Sequence, residues 1–159
     1  MNAHQQRTNK RGRGQKAVVG SGGVEIHVVE TPGEIRRFDR LMNERHELGP
    51  TPRVGDFLRQ AAVIDGEWVA ILAWGPSALR LKDRDEWIGW SARMRKERQK
   101  LVVQNRRFCL LGEKGEFPNR ASQVLAASMR VLPQQWEEKF GYRPAVAESF
   151  TDLEGQAGT

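Results

Sequence analysis

Apolar positions along the chain switch between two periods. Val24, Ile26 and Val28 alternate with Glu25 and His27, the two-residue repeat of a half-buried strand over 24–29. Thr31-Pro32 then opens a helix: Thr31 suits the N-cap, Pro32 the first turn and Glu34 the third helical position. Ile35, Phe38, Leu41 and Met42 recur at helical spacing on one face, and Leu48-Gly49-Pro50 supplies the exit. Asp65-Gly66 joins two further runs, Arg59 to Ile64 and Glu67 to Trp74, as a hairpin. Because Trp68 to Trp74 is apolar throughout, the second of these strands is expected at the sheet centre, buried on both faces.

The second half repeats the alternation of types. Ser91 to Val102 reads as a helix with Trp90, Met94 and Leu101 on one face and Arg93, Arg95, Lys96, Arg98 and Lys100 around them. Arg107 to Leu111 is a short buried strand, and Gly112 to Pro118 a loop. Asn119 suits the N-cap of a helix carrying Val124, Leu125, Ala127, Ser128, Val131 and Leu132. Pro133 predicts a kink or a fresh start, Trp136 and Phe140 resume the pattern, and Gly141 ends it. Pro144 to Phe150 is the last strand. The order predicts a single α/β (α+β) domain over 24–159, a mixed sheet flanked by helices.

Residues 1–23 break the pattern. They hold Arg7, Lys10, Arg11, Arg13 and Lys16, no acid and almost no large apolar residue, and are expected to be a disordered basic tail ending in a Gly/Ser linker. Removing those five charges from the net +6 leaves 21 bases against 20 acids, so the basic character belongs to the tail rather than the body. Such a tail suits non-specific neutralisation of phosphates, or serves as a solubilising leader. The single cysteine, Cys109, rules out an intrachain disulfide and reads as a core thiol. With no apolar stretch of spanning length and no signal-peptide core, the expectation is a cytoplasmic protein with no membrane partner.

Candidate chemistry centres on Arg80 to Trp90, where charge and two tryptophans coincide. Arg84 and Asp85 suit either a bound phosphate or an internal ion pair. Trp87 and Trp90 could stack a base, but at this spacing core packing is the commoner use. Asn105 and Arg107 flank a strand entrance, fit for phosphate or carboxylate recognition or for capping. His46 is a candidate general base or a partner of the helix dipole. Asn119 and Ser122 are helix caps first and ligand donors second. Glu148 and Asp152 share one face of the last strand, which suits acid–base work, metal binding or pairing with Arg107; Glu148 is the foremost candidate for chemistry. The zincin pattern, the serine elbow and the Walker loop are all absent, and neither a metal nor a cofactor is expected.

Taken in order, several motifs resemble one family. They are His46-x-Leu48-Gly49, Asp65-Gly66-x-Trp68-Val69-Ala70, Ser77-Ala78 and Arg84-Asp85-x-Trp87-Ile88-Gly89-Trp90. Asn105-x-Arg107-Phe108, Asn119-x-Ala121-Ser122, Trp136, Gly141-Tyr142 and Glu148-x-Phe150-x-Asp152 follow. The succession resembles the DruA-type domain of Druantia anti-phage defence systems, a domain also found beside bacterial transposases, and covers roughly residues 34–159. It departs at Cys109-Leu-Leu-Gly-Glu113 and at Ser149 and Thr151, and the family continues where this chain stops at Thr159, which implies a chain cut short.

The resemblance implies a component of a defence or mobile-element system, with other proteins of such systems as partners. Nucleic acid would be met by the tail 1–23 and the basic helix 91–102. The element order also resembles the first two-thirds of an acetyltransferase-like (GNAT-type) domain, and the alternative is a transferase acting on nucleic acid or another acyl acceptor, or an inactive fragment. Glu113 and Glu116 in the loop where such folds hold a pyrophosphate argue against a coenzyme. The transferase reading expects Arg84, Arg107 and Glu148 in one pocket, near free amides at Asn119.

Overall fold

The computed structural model describes residues 23–50, 53–113 and 115–150, together with the backbone of Val18 and Val19. Its strands are β1 (Val18–Val19), β2 (Glu25–Val28), β3 (Leu58–Ile64), β4 (Glu67–Pro76), β5 (Val102–Leu110) and β6 (Val146–Ser149). They form one sheet in sequence order, antiparallel from β1 to β5, with β6 parallel to β5. A parallel pair needs a crossover, and α4 (Arg120–Phe140) supplies it. The sheet is therefore mixed, as its element order predicts.

Helices cover both faces of the sheet, which is why β3 and β4 lack a polar side. On one face Val24, Ile26, Leu72, Trp74 and Val103 pack against Val124, Leu132 and Trp136 of α4. On the other, Val29, Ala61, Ile71, Ala73 and Cys109 pack against Phe38 and Met42 of α1 (Pro32–Arg45). The α4 face also buries a polar chain. Gln60, fully enclosed, accepts from Trp74 Nε1 at 2.9 Å and from the Ser128 hydroxyl, and donates to Gln135 Oε1 at 2.7 Å. Gln135 in turn donates to the Ile26 carbonyl, so the members of this polar chain are matched to one another.

Local signals place the element ends. Thr31 and Glu34 form the capping box, and Asp65 and Gly66 take φ of 50° and 81°, the left-handed pair of a two-residue hairpin turn.

Several expectations are corrected. The tail reading placed no structure before residue 24, yet Val18–Val19 pairs with Glu25 and Ile26; residues 1–17 and the linker Gly20-Ser21-Gly22 lie outside the described residues. α1 stops at Arg45, short of Leu48, because His46 takes an extended conformation. β5 begins at Val102 rather than Arg107. α4 continues through Pro133, whose missing N–H costs one helical bond while buried Val131, Leu132 and Trp136 hold the helix on the sheet. The charged stretch after β4 is helical: α2 (Lys82–Ile88), then α3 (Ala92–Arg98) and a 3-10 turn, Gln99–Leu101. Among the described residues no helix is long and apolar enough to cross a membrane.

Candidate functional site

A helix of seven residues has little stability of its own, so α2 must be held by its surroundings. The hold is ionic. Leu81, Arg84, Asp85 and Ile88 form its inward face, while Asp83, Glu86 and Trp87 face solvent. Arg84 is only 5% exposed, and every nitrogen of its guanidinium is engaged. Nε and Nη2 donate to Asp85 Oδ1 at 3.1 and 3.0 Å, Nη1 to both oxygens of Glu148 at 3.2 and 3.3 Å, and Nη2 also to the Ala78 carbonyl at 2.8 Å.

The other carboxylate oxygen of Asp85 accepts from Arg95 of α3 at 2.9 Å, which fastens the second helix to the first. Gln99 adds bonds to the Ser77 hydroxyl and the Ala78 carbonyl. Asp85 and Glu148 are 10% and 11% exposed, so the cluster is nearly closed to water. Burial pushes the Asp85 carboxyl upward, but bonds from Arg84, the Leu81 amide and Arg95 outweigh it and hold the group below its ordinary value. Of the two readings open for Arg84 and Asp85, the geometry is that of the internal ion pair.

Outside this lock lies a surface of different character. Trp87 is 80% exposed, which overturns its expected role as a core anchor: it lies on the solvent side of α2 with Asp83 and Glu86. Trp90 is half-buried and, with Arg80, Lys82, Glu86, Asp85 and Arg95, lines an open groove of about 490 Å³ between α2 and α3. Gly89 closes α2 at φ 76°, returning its amide to the Asp85 carbonyl. Ser91 caps α3 through the Met94 amide at 3.2 Å. The segment from α3 through the 3-10 turn carries five bases against Glu97 alone.

The remaining candidates do not join this cluster. A β-bulge separates Asn105 from Arg107: Trp74 pairs with Asn105 and Ala73 with Arg107, which leaves Arg106 as the extra residue and turns its two neighbours to opposite faces. Asn105 spans the bulge, donating to the carbonyls of Ala73 and Arg107 at 3.5 and 3.3 Å. Arg107 donates to the carbonyls of Gly49 at 3.0 Å and Arg106 at 2.7 Å, tying the loop after α1 to β5 and sharing no partner with Arg84.

His46 ends α1, and its Nδ1 accepts from the Leu48 amide at 3.2 Å. Burial and the charge of Arg107 lower its pKa against a smaller opposing push from Glu47, consistent with the neutral ring that this bond needs. Asn119 sits just before α4, but at φ 63°, in the left-handed region, and without the side-chain bond to the helix expected of a cap. Ser122 is exposed. Both lie past Leu110, six residues of strand beyond Gln104, the β5 partner of Glu148, or roughly 20 Å at strand spacing. Asp152 lies outside the described residues.

The pocket expected to join Arg84, Arg107 and Glu148 is thus present only as the Arg84–Glu148 pair. Arg95, Ser77 and Gln99 complete the lock without having been singled out; a base in the last turn of α3, placed ten residues after an acid, is the one signal that could have marked Arg95. Among the described residues no group of three or more His, Cys, Asp or Glu side chains could hold a metal ion. No curated protein and no solved structure matches this chain. The family described as Druantia protein DruA matches it over residues 2–154, reaching further toward the N-terminus than the motifs alone. The chain belongs to the Druantia protein DruA family.

Proposed function

We propose that, as a component of the Druantia anti-phage defence system, this protein binds nucleic acid on the face built by α2, α3 and the groove between them. The observation that carries the reading is Trp87: an indole held almost wholly in solvent, on a helix fixed to the sheet by a buried ion cluster, beside a basic helix. An exposed tryptophan on a rigid support offers a stacking surface without a large ordering cost, and every base has a face to stack on. Lys96 and Arg98 extend from the adjacent helix, where phosphates of a strand crossing Trp87 would meet them. The basic tail adds further charge in sequence. Arg84, Asp85 and Glu148 act in this reading as positioning residues, since their bonding capacity is used within the fold.

The test is fluorescence anisotropy of a labelled single-stranded oligonucleotide titrated with the full chain, with Trp87→Ala and with a variant lacking residues 1–17. Stacking on one ring is worth about 1–3 kcal/mol, so Trp87→Ala should weaken binding by about five- to 150-fold. Two or three phosphates on α3 should give a log–log salt slope of about −1.4 to −2.1 for a single strand, and that slope should survive tail removal. Affinity unchanged in Trp87→Ala, or a slope that vanishes with the tail, would place any binding elsewhere and refute the reading.

A further inference from the structure

A second site lies on the α1 face of the sheet, away from α2 and α3. Between α1 and the N-terminal end of β3 is a cavity of about 230 Å³, walled by Phe38, Met42 and Phe57, with Arg59 inside it and Asp39 and Arg53 beside it. Arg59 belongs to β3, where it pairs with Ala73, and its side chain is only 8% exposed. Its guanidinium lies 5.7 Å from the Phe38 ring centre and 5.0 Å from that of Phe57. Nη2 has no hydrogen-bond partner among the described residues, and Nε is 3.5 Å from Asp39 Oδ1, at the outer limit of such a bond. Asp39 gives its other oxygen to Arg53. A guanidinium so deeply enclosed ordinarily has its donors matched, because a buried charge without partners is costly. Arg84 in the same protein shows the matched condition; Arg59 does not.

We propose that this cavity binds a small monocarboxylic acid with a compact apolar body, its carboxylate meeting Nη2 and Nε of Arg59. Three features select that class. Two cations and one carboxylate at the site leave one net positive charge, which suits a monoanion and opposes a dianionic phosphate. The walls are aromatic and aliphatic, so the body of the ligand must be apolar. An apolar cavity of 150 Å³ admits benzene, and the volume here has room for a ring of that size with a carboxylate attached. Phe38 and Phe57 both lie within cation–π range of the guanidinium, and its Nε and Nη2 form the fork that suits a two-oxygen contact. Burial and the neighbouring Arg53 depress the basicity of Arg59, with Asp39 restoring part of it, and an arriving carboxylate would act in the same direction as Asp39.

The experiment is an amide NMR titration of the full chain with benzoate and with its neutral isostere benzamide, each to about 10 mM, a range that resolves millimolar affinities. Benzoate should shift the amides of Phe38 to Met42 and Phe57 to Arg59, and benzamide should bind at least about tenfold more weakly. Arg59→Met, which keeps the length of the stem and removes the charge, should abolish that preference. The comparison of the two ligands on the unaltered chain decides the matter even if the variant does not fold. Equal binding of the two, an absence of shifts at these amides, or displacement of benzoate by inorganic phosphate at equal concentration would overturn the proposal. A peptide ending in phenylalanine that binds more than tenfold tighter than benzoate would overturn the assignment to a small acid and point to a protein C-terminus.

Discussion

Replacing Arg84 by methionine isolates the contribution of the ion cluster that fixes α2. Methionine approximates the aliphatic stem but supplies none of the bonds to Asp85, Glu148 and Ala78. The two carboxylates then fare differently. Asp85 retains Arg95 and the Leu81 amide, whereas Glu148 has no other hydrogen-bond partner among the described residues. A carboxylate that is 11% exposed and stripped of its cation should cost about 3–5 kcal/mol, a large share of the roughly 5–15 kcal/mol that holds a domain together. In a chain of this size the melting temperature should fall by on the order of 10 °C.

The decisive comparison is Arg84→Met combined with Glu148→Met, which replaces both ends of the pair by apolar groups. Such replacements are often close to neutral, so the double variant should be more stable than Arg84→Met alone. Urea unfolding followed by tryptophan fluorescence measures all three. Trp90 should shift to longer wavelength as α2 loosens, while Trp87, already in solvent, should not change. If Arg84→Met costs under about 1 kcal/mol, or if the double variant is as unstable as the sum of the single ones, the cluster does not carry the load assigned to it. Acid provides an independent check. The Asp85 carboxyl titrates below its ordinary 3.8, so its contribution is complete above that value and disappears as pH falls through the lower folded value. The acid-unfolding limb below pH 4 should therefore be shallower in Arg84→Met.

Three further outcomes are expected. His46 has a folded pKa below the ordinary 6.5, so its share of stability is present above pH 6.5 and lost as pH falls through the folded value; His46→Asn should flatten the stability profile on the acid side of pH 6.5, as read by urea midpoints. Gln60→Leu removes the acceptor shared by Trp74 and Ser128 and leaves Gln135 without its donor, and should cost about 1–3 kcal/mol by thermal unfolding, whereas Gln60→Glu should cost more because it buries a charge. Gly89→Ala meets no atom within 4 Å, so its cost of about 1 kcal/mol is purely that of the left-handed backbone at φ 76°, and a clear fall in calorimetric melting temperature without altered packing is the result to look for.

The parts of this fold legible in the sequence are those whose cause is local. The capping box at Thr31, the Asp65-Gly66 turn and the alternation of β2 each need only neighbouring residues, and the continuous apolar run of β4 reports burial on both faces directly. What escaped depends on partners far along the chain. α2 has no apolar stripe because its buried turn is Arg84-Asp85, and those two residues are matched inside by Arg95 and by Glu148, the latter 64 positions away. Asn105 and Arg107 share a face in any unbroken strand; one extra residue at Arg106, matched against the opposite strand, reverses that relation and disperses the expected site. Trp87 and Trp90 look alike in sequence, and only the placement of the ion pair determines which of them meets the solvent.

The buried arginines follow from the same economy of the sheet. Of its two faces, the one under α4 is apolar and closes over a small polar chain whose members satisfy one another. The other face is covered by separate pieces, α1 over β3, β4 and β5 and α2 at the β5–β6 edge, and two deeply buried arginines lie on it: Arg84, with all its nitrogens matched, and Arg59, with Nη2 unmatched among the described residues. Both must overcome the same penalty of taking a guanidinium out of water. In Arg84 the penalty is met by carboxylates within the fold, and the return is a helix fixed well enough to carry an exposed indole. In Arg59 the single carboxylate nearby is shared with Arg53, so the offset within the fold is incomplete. An arginine kept in that condition is either a pure loss of stability or a receptor for an anion from outside. Arg59→Met separates the two, because a gain in melting temperature alongside a lost preference for benzoate is what a site retained for binding should give.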